Sequence, residues 1–329
     1  MRRQWLKFTI FSIAACALST SATAQKALNT PNWPSKPLRI VVGFPGGSSP
    51  DLTARTLAEP LSKALGQPVI VENKVGAGGN IAADLVAKAS DNHTIGLMIN
   101  GNMTTAKLLN PKLAYDPLKD LQPVSLVGVS PLVLMAPLNA PGSSAQAFLA
   151  AAKKAGDSWS YGSPGVGTVG HIGMELFKSK TGTQAVHVPY PGYAQVATAM
   201  VGGQLQLSML PPALAMAQVK GDKLRAIGVT SSGRSPLAPE LPSMAEVGVT
   251  NFNLEIWNAV SAPKSMPVAM VNRLATLVSE IARTPEIRQK LFAQGWQVVG
   301  SSPEGLANRI KADTVLFGGI IQTLGVSNQ

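Results

Sequence analysis

The sequence contains one cysteine and three histidines in 329 residues. The cysteine, Cys16, lies in an N-terminal segment that resembles an export signal, so the mature chain is predicted to have neither a disulfide nor a reactive thiol. With so few cysteine and histidine side chains, the chain has few candidates for acid–base or nucleophilic catalysis. His171 and Glu175 have the i,i+4 spacing of a metal site, but no second histidine-rich element accompanies them, and no metal is predicted.

Aromatic side chains make up 5% of the chain and charged ones 14%, although the formal net charge is +11. Arg2, Arg3 and Lys7 supply three of these charges, which leaves +8 after residue 24 (11 − 3 = 8). The remaining basic residues are scattered, whereas nucleic acid binding needs a basic stripe with stacking aromatics. No nucleic acid partner is therefore predicted, and a mildly positive field favours an acidic small molecule.

Long apolar runs are also missing: no stretch after residue 24 approaches about 18 uninterrupted apolar residues, so no membrane anchor is predicted there. Residues 1–24 are predicted to be a signal peptide, with a basic start, an apolar region from Phe8 to Leu18 and a small-x-small cleavage site before Gln25. Two other export routes stay open, because Arg2-Arg3 resembles a twin-arginine signal and Ile13 to Cys16 resembles a lipobox. The mature chain is expected in the periplasm.

Two glycine- and serine-rich loops are the most informative features that the sequence does contain. The apolar strand Leu38 to Gly43 leads into the first loop, Phe44 to Asp51, and the strand Ser158 to Tyr161 leads into the second, Gly162 to His171. Each loop precedes a predicted helix, so its backbone N–H groups lie beside the positive end of a helix dipole. Two such loops predict two lobes that each hold one end of an acidic ligand.

Strands and helices alternate along the chain, which predicts an α/β fold with parallel strands. Lobe 1 is expected to comprise 25–130, lobe 2 is expected to comprise 131–255, and 256–329 returns to lobe 1. The crossings are placed in a strand from Val124 to Met135 and in Phe252 to Val260, which makes a two-strand hinge. Other expected strands are 68–72, 93–100, 185–188, 205–210 and 224–229; expected helices are 50–65, 81–89, 170–180, 193–201, 267–283, 285–294 and 303–323.

The roles of single residues around the loops can also be predicted, in one case with two alternatives. Asp51 stands in the first turn of a helix capped by Ser49, where an acid favours the helix dipole, or else it orients the loop or holds a bridging water. Leu52 is assigned to the inner face of that helix. His171 is expected to line the cleft or support the loop, and His187 to be a satisfied core residue.

The loops match nucleotide and nucleophile motifs only in part. Gly165 to Gly170 has the GxGxxG spacing, but the next strand ends without the carboxylate that a ribose needs. Tyr161 occupies the first glycine position of a nucleophile elbow around Ser163, and the first loop lacks the Gly-Lys-Ser/Thr ending of a P-loop. No cofactor is predicted. The readings that remain are a structural βα turn and a carboxylate cradle made of backbone N–H groups with the Ser163 and Thr168 hydroxyls.

Several short motifs occur in order over nearly the whole mature chain. They are Trp33-Pro34-x-Lys36-Pro37, Phe44-Pro45-Gly46-Gly47, Val71-Glu72-Asn73-Lys74-x-Gly76-Ala77-Gly78-Gly79-Asn80, Tyr161-Gly162-Ser163-x-Gly165-x-Gly167-Thr168, His187-Val188-Pro189-Tyr190 and Leu241-Pro242-Ser243. Together they resemble the Bug-type (Bordetella uptake gene) periplasmic receptors of tripartite tricarboxylate transporters. The resemblance implies a type II periplasmic binding protein fold, with two α/β lobes, a ligand cleft and a two-strand hinge. It also implies capture of a small carboxylate and its delivery to membrane permease subunits.

The resemblance further implies which residues hold the ligand, largely through backbone amides and ordered waters. They are Phe44, Gly46, Gly47, Ser48 and Asp51 from lobe 1, and Ser163, Gly167, Thr168, His171 and Tyr190 from lobe 2. Gln206 stands where the family usually has Asp. If it faces the cleft, it could bind a carboxylate that Asp would repel, or it could lose an acceptor that a ligand amine or hydroxyl needs.

The predicted function is that of a non-enzymatic, monomeric receptor for a di- or tricarboxylate, an aromatic acid or an acidic amino acid. An exported hydrolase that uses Ser163 and His171 is the alternative from a different class. An orphan carboxylate sensor without a cognate permease is a third reading, because a permease would be a separate chain.

Overall fold

The computed structural model describes residues 33–326, which form two α/β lobes, each with its own sheet. The predicted signal peptide and its cleavage site before Gln25 lie outside the described residues. Within residues 33–326, no helix is both long and apolar enough to cross a membrane.

The sheet of the first lobe contains strands from both ends of the described chain. They are β1 (Leu38–Val42), β2 (Val69–Asn73), β3 (Thr94–Ile99), β4 (Leu121–Pro131), β10 (Glu255–Pro263) and β11 (Gln297–Val298), in the order β11-β4-β10-β3-β1-β2. β1 is parallel to β2 and β3, whereas β10 is antiparallel to β3 and β4. β1 is a nearly unbroken apolar run because a central parallel strand is covered on both faces.

The second lobe is built on the middle of the chain. Its strands are β5 (Val133–Pro137), β6 (Ser160–Ser163), β7 (Val186–Pro189), β8 (Leu207–Leu210) and β9 (Leu224–Val229), in the order β7-β6-β8-β5-β9. β6 is parallel to β7 and β8, while β5 is antiparallel to β8 and β9. The carboxyl ends of β1 and β6, where the glycine loops begin, are the ends at which α/β sheets bind ligands.

Helices pack around both sheets. They are α1 (Ser49–Leu65), α2 (Asn80–Ala87), α3 (Asn100–Met103), α4 (Thr105–Leu109), α5 (Ala145–Ala155), α6 (Val169–Thr181), α7 (Tyr193–Val201), α8 (Pro212–Lys220), α9 (Val268–Arg283), α10 (Pro285–Ala293) and α11 (Pro303–Leu324). The helices α3, α4, α5 and α8 and the strand β11 were not among the elements predicted from the sequence. Val124 to Met135 was also predicted as one strand, whereas β4 and β5 belong to different sheets and meet at Leu132.

Two details of α1 differ from expectation. Ser48 rather than Ser49 is its N-cap residue, and Leu52 is 40% exposed rather than part of the inner face. The reason is helical spacing: four residues before Leu57 stands Thr53 and not Leu52, and the side chains of Thr53, Leu57 and Leu61 are fully buried on one face.

The chain passes between the sheets twice, and one buried side chain joins the two passages. Thr230, which follows β9, has a fully buried side chain. Its hydroxyl accepts from the Leu132 N–H at 2.8 Å and donates to the Leu254 carbonyl at 2.7 Å. Leu132 and Leu254 stand just beside β5 and β10, so Thr230 fastens the two connecting segments to each other.

Candidate functional site

A pocket of about 400 Å³ lies between the lobes, and four helices of nine or more residues begin at its edge. Its lining includes the first residues of these helices or the residues just before them: Ser48 to Pro50 at α1, Thr168 and Val169 at α6, Gly192 to Gln195 at α7, and Pro211, Ala213 and Leu214 at α8. Each helix carries a positive partial charge at its N-terminus, so the pocket has an anion-attracting rim.

At two of these helix starts, those of α6 and α7, backbone N–H groups have no acceptor among the described residues. None of the four N-cap residues makes a side-chain cap, in contrast to Ser144 at α5 and Ser302 at α11. In α6 and α7, the N–H groups of Val169, Gly170 and Tyr193 make no bond within residues 33–326. None of the residues that line this pocket is charged. An anion there is met by peptide dipoles and not by a counter-ion.

The first glycine loop is held in shape by Asp51. One oxygen of this carboxylate accepts from the Gly47 N–H at 2.8 Å and from Arg55 at 2.9 Å, and the other accepts from Asn73 at 2.8 Å. Burial by itself raises the pKa of Asp51, but the hydrogen bonds from Arg55, Gly47 and Asn73 outweigh it and hold the pKa below its usual value. Asp51 is therefore an orienting residue, and the Gly47 N–H is already used.

The second loop is also largely satisfied from within. The Gly165 N–H donates to Ser163 Oγ at 3.2 Å, and the Gly167 N–H donates to His171 Nδ1 at 3.2 Å. Thr168 Oγ1 donates to the Gly165 carbonyl at 2.7 Å. Gly165 has φ +126° and Gly167 has φ +80°, backbone angles that glycine adopts without strain. The loop N–H groups of Gly165 and Gly167 are therefore not free to bind a ligand. The free N–H groups lie instead in the first turns of the helices that follow the loops.

Ser163 and His171 are not partners. Ser163 Oγ lies 2.7 Å from His187 Nε2, and its side chain has no exposed surface. His187 stacks between His171, at 4.2 Å, and Tyr161, at 4.8 Å between ring centroids. Burial lowers the pKa of His171, and burial with the neighbouring His171 and Lys178 lowers the pKa of His187 to about 3, so both rings are neutral at pH 7.

The two lobes touch through small residues beside the pocket. Thr105 of α4 donates its hydroxyl to the Gly167 carbonyl across the cleft. A Cβ on Gly101 would lie 3.1 Å from that same carbonyl oxygen, and a Cβ on Gly165 would lie 3.0 Å from Gly78 Cα. The lobes are closed on each other, and the glycines at these contacts permit the approach.

A second opening, of about 530 Å³, lies beyond this contact. Tyr190 lines it together with Gly167 and the turn from Gly76 to Gly79. The predicted residues therefore divide between two spaces: Phe44, Gly46, Gly47, Ser48 and Thr168 line the 400 Å³ pocket, and Gly167 and Tyr190 line the other.

Gln206 lies away from both openings, which corrects its assignment to the ligand-binding residues. Its Oε1 accepts from the Ser160 N–H at 2.8 Å, and its Nε2 donates to the Gly203 carbonyl at 3.3 Å. Ser160 begins β6, so Gln206 lies at the amino end of the strand, opposite the glycine loop. A side chain that caps the strand there cannot reach a ligand at the carboxyl end.

Sequence reasoning missed the apolar and polar walls of the pocket. The pocket is also lined by side chains from three separate parts of the chain: Tyr193 from α7, Trp257 and Asn258 from β10, and Trp296 from the turn before β11. Trp257 was part of no loop motif, and Trp296 follows α10 far along the chain. Within residues 33–326, no group of three or more His, Cys, Asp or Glu residues is placed to hold a metal ion.

Comparison with known proteins identifies the family. Residues 53–326 match the model of the tripartite tricarboxylate transporter family receptor. The chain belongs to this receptor family. BugT of Bordetella pertussis is 32% identical to the chain over 295 residues, which cover 89% of the chain and 90% of BugT.

Solved receptors share the fold. An R. palustris protein solved with adipate has a TM-score of 0.86 and 29% identity, covering 90% of this chain and 99% of its own. MatC from Rhodopseudomonas palustris, with bound malate, has a TM-score of 0.83 and 29% identity, covering 88% and 100%. The predicted Bug-type resemblance and the two-lobe periplasmic binding fold are both confirmed.

Proposed function

We propose that this receptor captures a small carboxylate between its lobes in the periplasm and delivers it to the membrane permease of a tripartite transporter. The observation that carries the proposal is the convergence of four uncapped helix N-termini on a pocket lined by no charged side chain. The family match supports the transporter assignment, and the relatives that hold adipate and malate support the ligand class.

The head carboxylate would bind at the starts of α6 and α7. The N–H groups of Val169, Gly170 and Tyr193 supply donors there, and the Ser48 hydroxyl, which lacks a partner among the described residues, faces them from lobe 1. Such donors are fixed by the helices and need no reorganisation when the anion arrives. Asp51, Ser163 and His171 keep the loops in shape behind them.

Closure of the lobes strengthens these contacts. The cleft excludes water when Thr105 meets Gly167, and hydrogen bonds to a carboxylate are stronger at the lower dielectric constant of a closed site. The two connecting segments joined by Thr230 form the hinge about which the lobes would open. The ligand then shifts the population toward the closed form by its differential affinity.

A catalytic role is not part of the proposal. Ser163 has no exposed surface, so a substrate carbonyl cannot reach its Oγ, and its histidine partner is His187 rather than His171. We also propose that the receptor acts as a monomer, exported by a signal peptide cleaved before Gln25. A sensing role without a permease would use the same pocket and differs only in its partner.

The first test is a thermal-shift screen of mature protein, from Gln25 onward, stripped of bound solute by unfolding and refolding. The panel contains mono-, di- and tricarboxylates, aromatic acids and amino acids. An acid at 100 times its dissociation constant should stabilise the fold by about 2.7 kcal/mol. The hit must be recovered unchanged. If no acid raises the melting temperature, or if an ester or amide is turned over and Ser163→Ala abolishes the turnover, the receptor assignment is wrong.

A matched pair of proline variants tests the helix-start donors. Val169→Pro deletes one N–H at the first position of α6, where proline fits a helix. Ala145→Pro makes the same change at α5, which does not line the pocket. Loss of one hydrogen bond to a charged ligand predicts at least about tenfold weaker binding for Val169→Pro. Equal affinity of the two folded variants would exclude α6 as the carboxylate site.

A further inference from the structure

Buried polar atoms without a hydrogen-bond partner concentrate in one wall of the 400 Å³ pocket. Within residues 33–326, six side-chain N or O atoms are buried and unpartnered. Four of them belong to residues that line this pocket: Ser48, Asn258, Gln294 and Trp296. Such atoms are rare in folded proteins because each forfeits its bonds to water, so a cluster of them needs a cause.

Three of these residues form one continuous surface, called the polar wall here: Asn258, Gln294 and Trp296. Asn258 Nδ2 donates to Thr53 at 2.9 Å, and Gln294 Nε2 donates to Thr56 at 2.8 Å. Thr53 and Thr56 are three positions apart on α1, so they are neighbours on the helix surface. The two amides therefore lie side by side along α1.

Trp296 lies on the same face of the sheet as Asn258, in space that Gly128 leaves open. A Cβ on Gly128 would lie 3.3 Å from Trp296 Cβ, and Gly128 is the cross-strand partner of Asn258. Directly paired residues of neighbouring strands face the same side of a sheet. Because Gly128 carries no side chain, the Cβ of Trp296 lies over it, on the side of the sheet that Asn258 occupies.

The wall offers a defined set of donors and acceptors. Thr53 already donates its hydroxyl to the Ser49 carbonyl at 3.0 Å, so it can only accept from Asn258, which leaves Asn258 Oδ1 as a free acceptor. Trp296 Nε1 is a donor only. Both side chains are at least 98% buried, so bulk water does not serve them.

Resting on the receptor function proposed above, we propose that the polar wall recognises the far end of the ligand, and that this end is an uncharged hydroxyl or amide. A hydroxyl accepts from Trp296 and donates to Asn258, and an amide does the same with its oxygen and nitrogen. A second carboxylate has no proton to donate to Asn258 Oδ1. No lysine or arginine lines the pocket to balance its charge.

The pocket lining also contains large apolar side chains, which suit an apolar middle of the ligand. They are Ile99, Leu214, Ile256 and Trp257. The solute is thus a carboxylic acid with an apolar chain or ring and a neutral polar end. This class differs from the acids whose two ends are both charged.

Two matched ligand series test the assignment by isothermal titration calorimetry on the mature protein. The first is hexanoate, 6-hydroxyhexanoate, the monoamide of adipate and adipate; the second is benzoate, 4-hydroxybenzoate and terephthalate. One series has an aliphatic chain and the other a benzene ring. In the series whose carbon skeleton fits the pocket, the hydroxyl or amide member should bind about tenfold tighter than the unsubstituted acid and the diacid.

Variants then separate recognition from packing. Trp296→Phe removes the Nε1 donor and keeps an aromatic ring, and it should weaken the hydroxyl or amide member about tenfold while the unsubstituted acid changes less than twofold. Trp159→Phe is the control, since Trp159 lies in lobe 2 and does not line the pocket. Gln294→Leu, at a half-buried position, repeats the test should Trp296→Phe fail to fold.

The outcomes are distinct. Tightest binding of the diacid, or equal loss of every member in Trp296→Phe, would overturn the neutral-end assignment and leave the receptor function standing, because acids would still bind. Failure of every acid in both series to bind, while another acid of the thermal-shift panel binds, would overturn this inference alone; failure of the whole panel would overturn the receptor function as well.

Discussion

Alanine at Gly101 should weaken ligand binding without weakening the fold. Gly101 lies in α3, where a Cβ would stand 3.1 Å from the Gly167 carbonyl oxygen and 3.5 Å from Thr168 Cα, both on the opposite lobe. That carbonyl is held by the Thr105 hydroxyl and cannot simply turn away. The added methyl group therefore opposes closure of the lobes.

The size of the effect follows from where the methyl group acts. Overpacking of a tight contact costs about 1–3 kcal/mol, and here only the closed form suffers it. The free energy of closure is part of the binding free energy, so the dissociation constant should rise about 5- to 150-fold. Replacing glycine by alanine also reduces the entropy of the unfolded chain, which adds about 0.4–1 kcal/mol of stability to the open form.

The assay compares Gly101→Ala with Gly319→Ala by calorimetry and by melting temperature without ligand. Gly319 lies in α11, and a Cβ there would meet no atom within 4 Å. We expect both variants to melt at or above the temperature of the parent protein, and only Gly101→Ala to lose affinity. Unchanged affinity in Gly101→Ala would refute the idea that the lobes approach this closely around the ligand.

Two further substitutions have clear expected outcomes. Asp51→Asn removes the carboxylate that holds Gly47 and Asn73, so the free energy of unfolding in urea at pH 7 should fall by about 2 kcal/mol. The pKa of Asp51 is lower in the fold than in the unfolded chain, so its contribution is present above pH 4 and is lost as the pH falls through the folded-state pKa. The difference between the two proteins should therefore shrink in acid, and a constant difference would contradict this. Gln206→Glu should leave ligand affinity unchanged, because Gln206 bonds to Ser160 at the far end of β6, and a tenfold change would place it in the cleft after all.

Much of the fold follows from the sequence because its signals are local. A strand such as β1 shows as an apolar run, and a helix start such as α6 follows a loop of glycine and serine, so neighbours within a few positions suffice. The ordered motifs also predicted the family correctly. α8 was missed because its proline start follows β8 directly and its apolar residues form no clear stripe.

The site was only partly predictable. The sequence located the two loops, and their N–H groups were expected to bind the ligand. In the structure, the Gly47 N–H donates to Asp51 and the Gly167 N–H donates to His171. The alternative hypothesis of a hydrolase paired Ser163 with His171, whereas His187 on the neighbouring strand is the partner of Ser163. Hydrogen-bond partners are chosen by distance in space, which spacing along the chain does not reveal.

What the sequence by itself determined is two α/β lobes with an anion-attracting loop at each, since strand and helix periodicity and helix dipoles depend on neighbouring residues. Only the tertiary structure decided which donors remain free, how Thr230 joins the two crossings, and that Trp296 and Asn258 meet over Gly128. Those arrangements bring together residues 24 to 168 positions apart along the chain, so only packing of the whole chain fixes them.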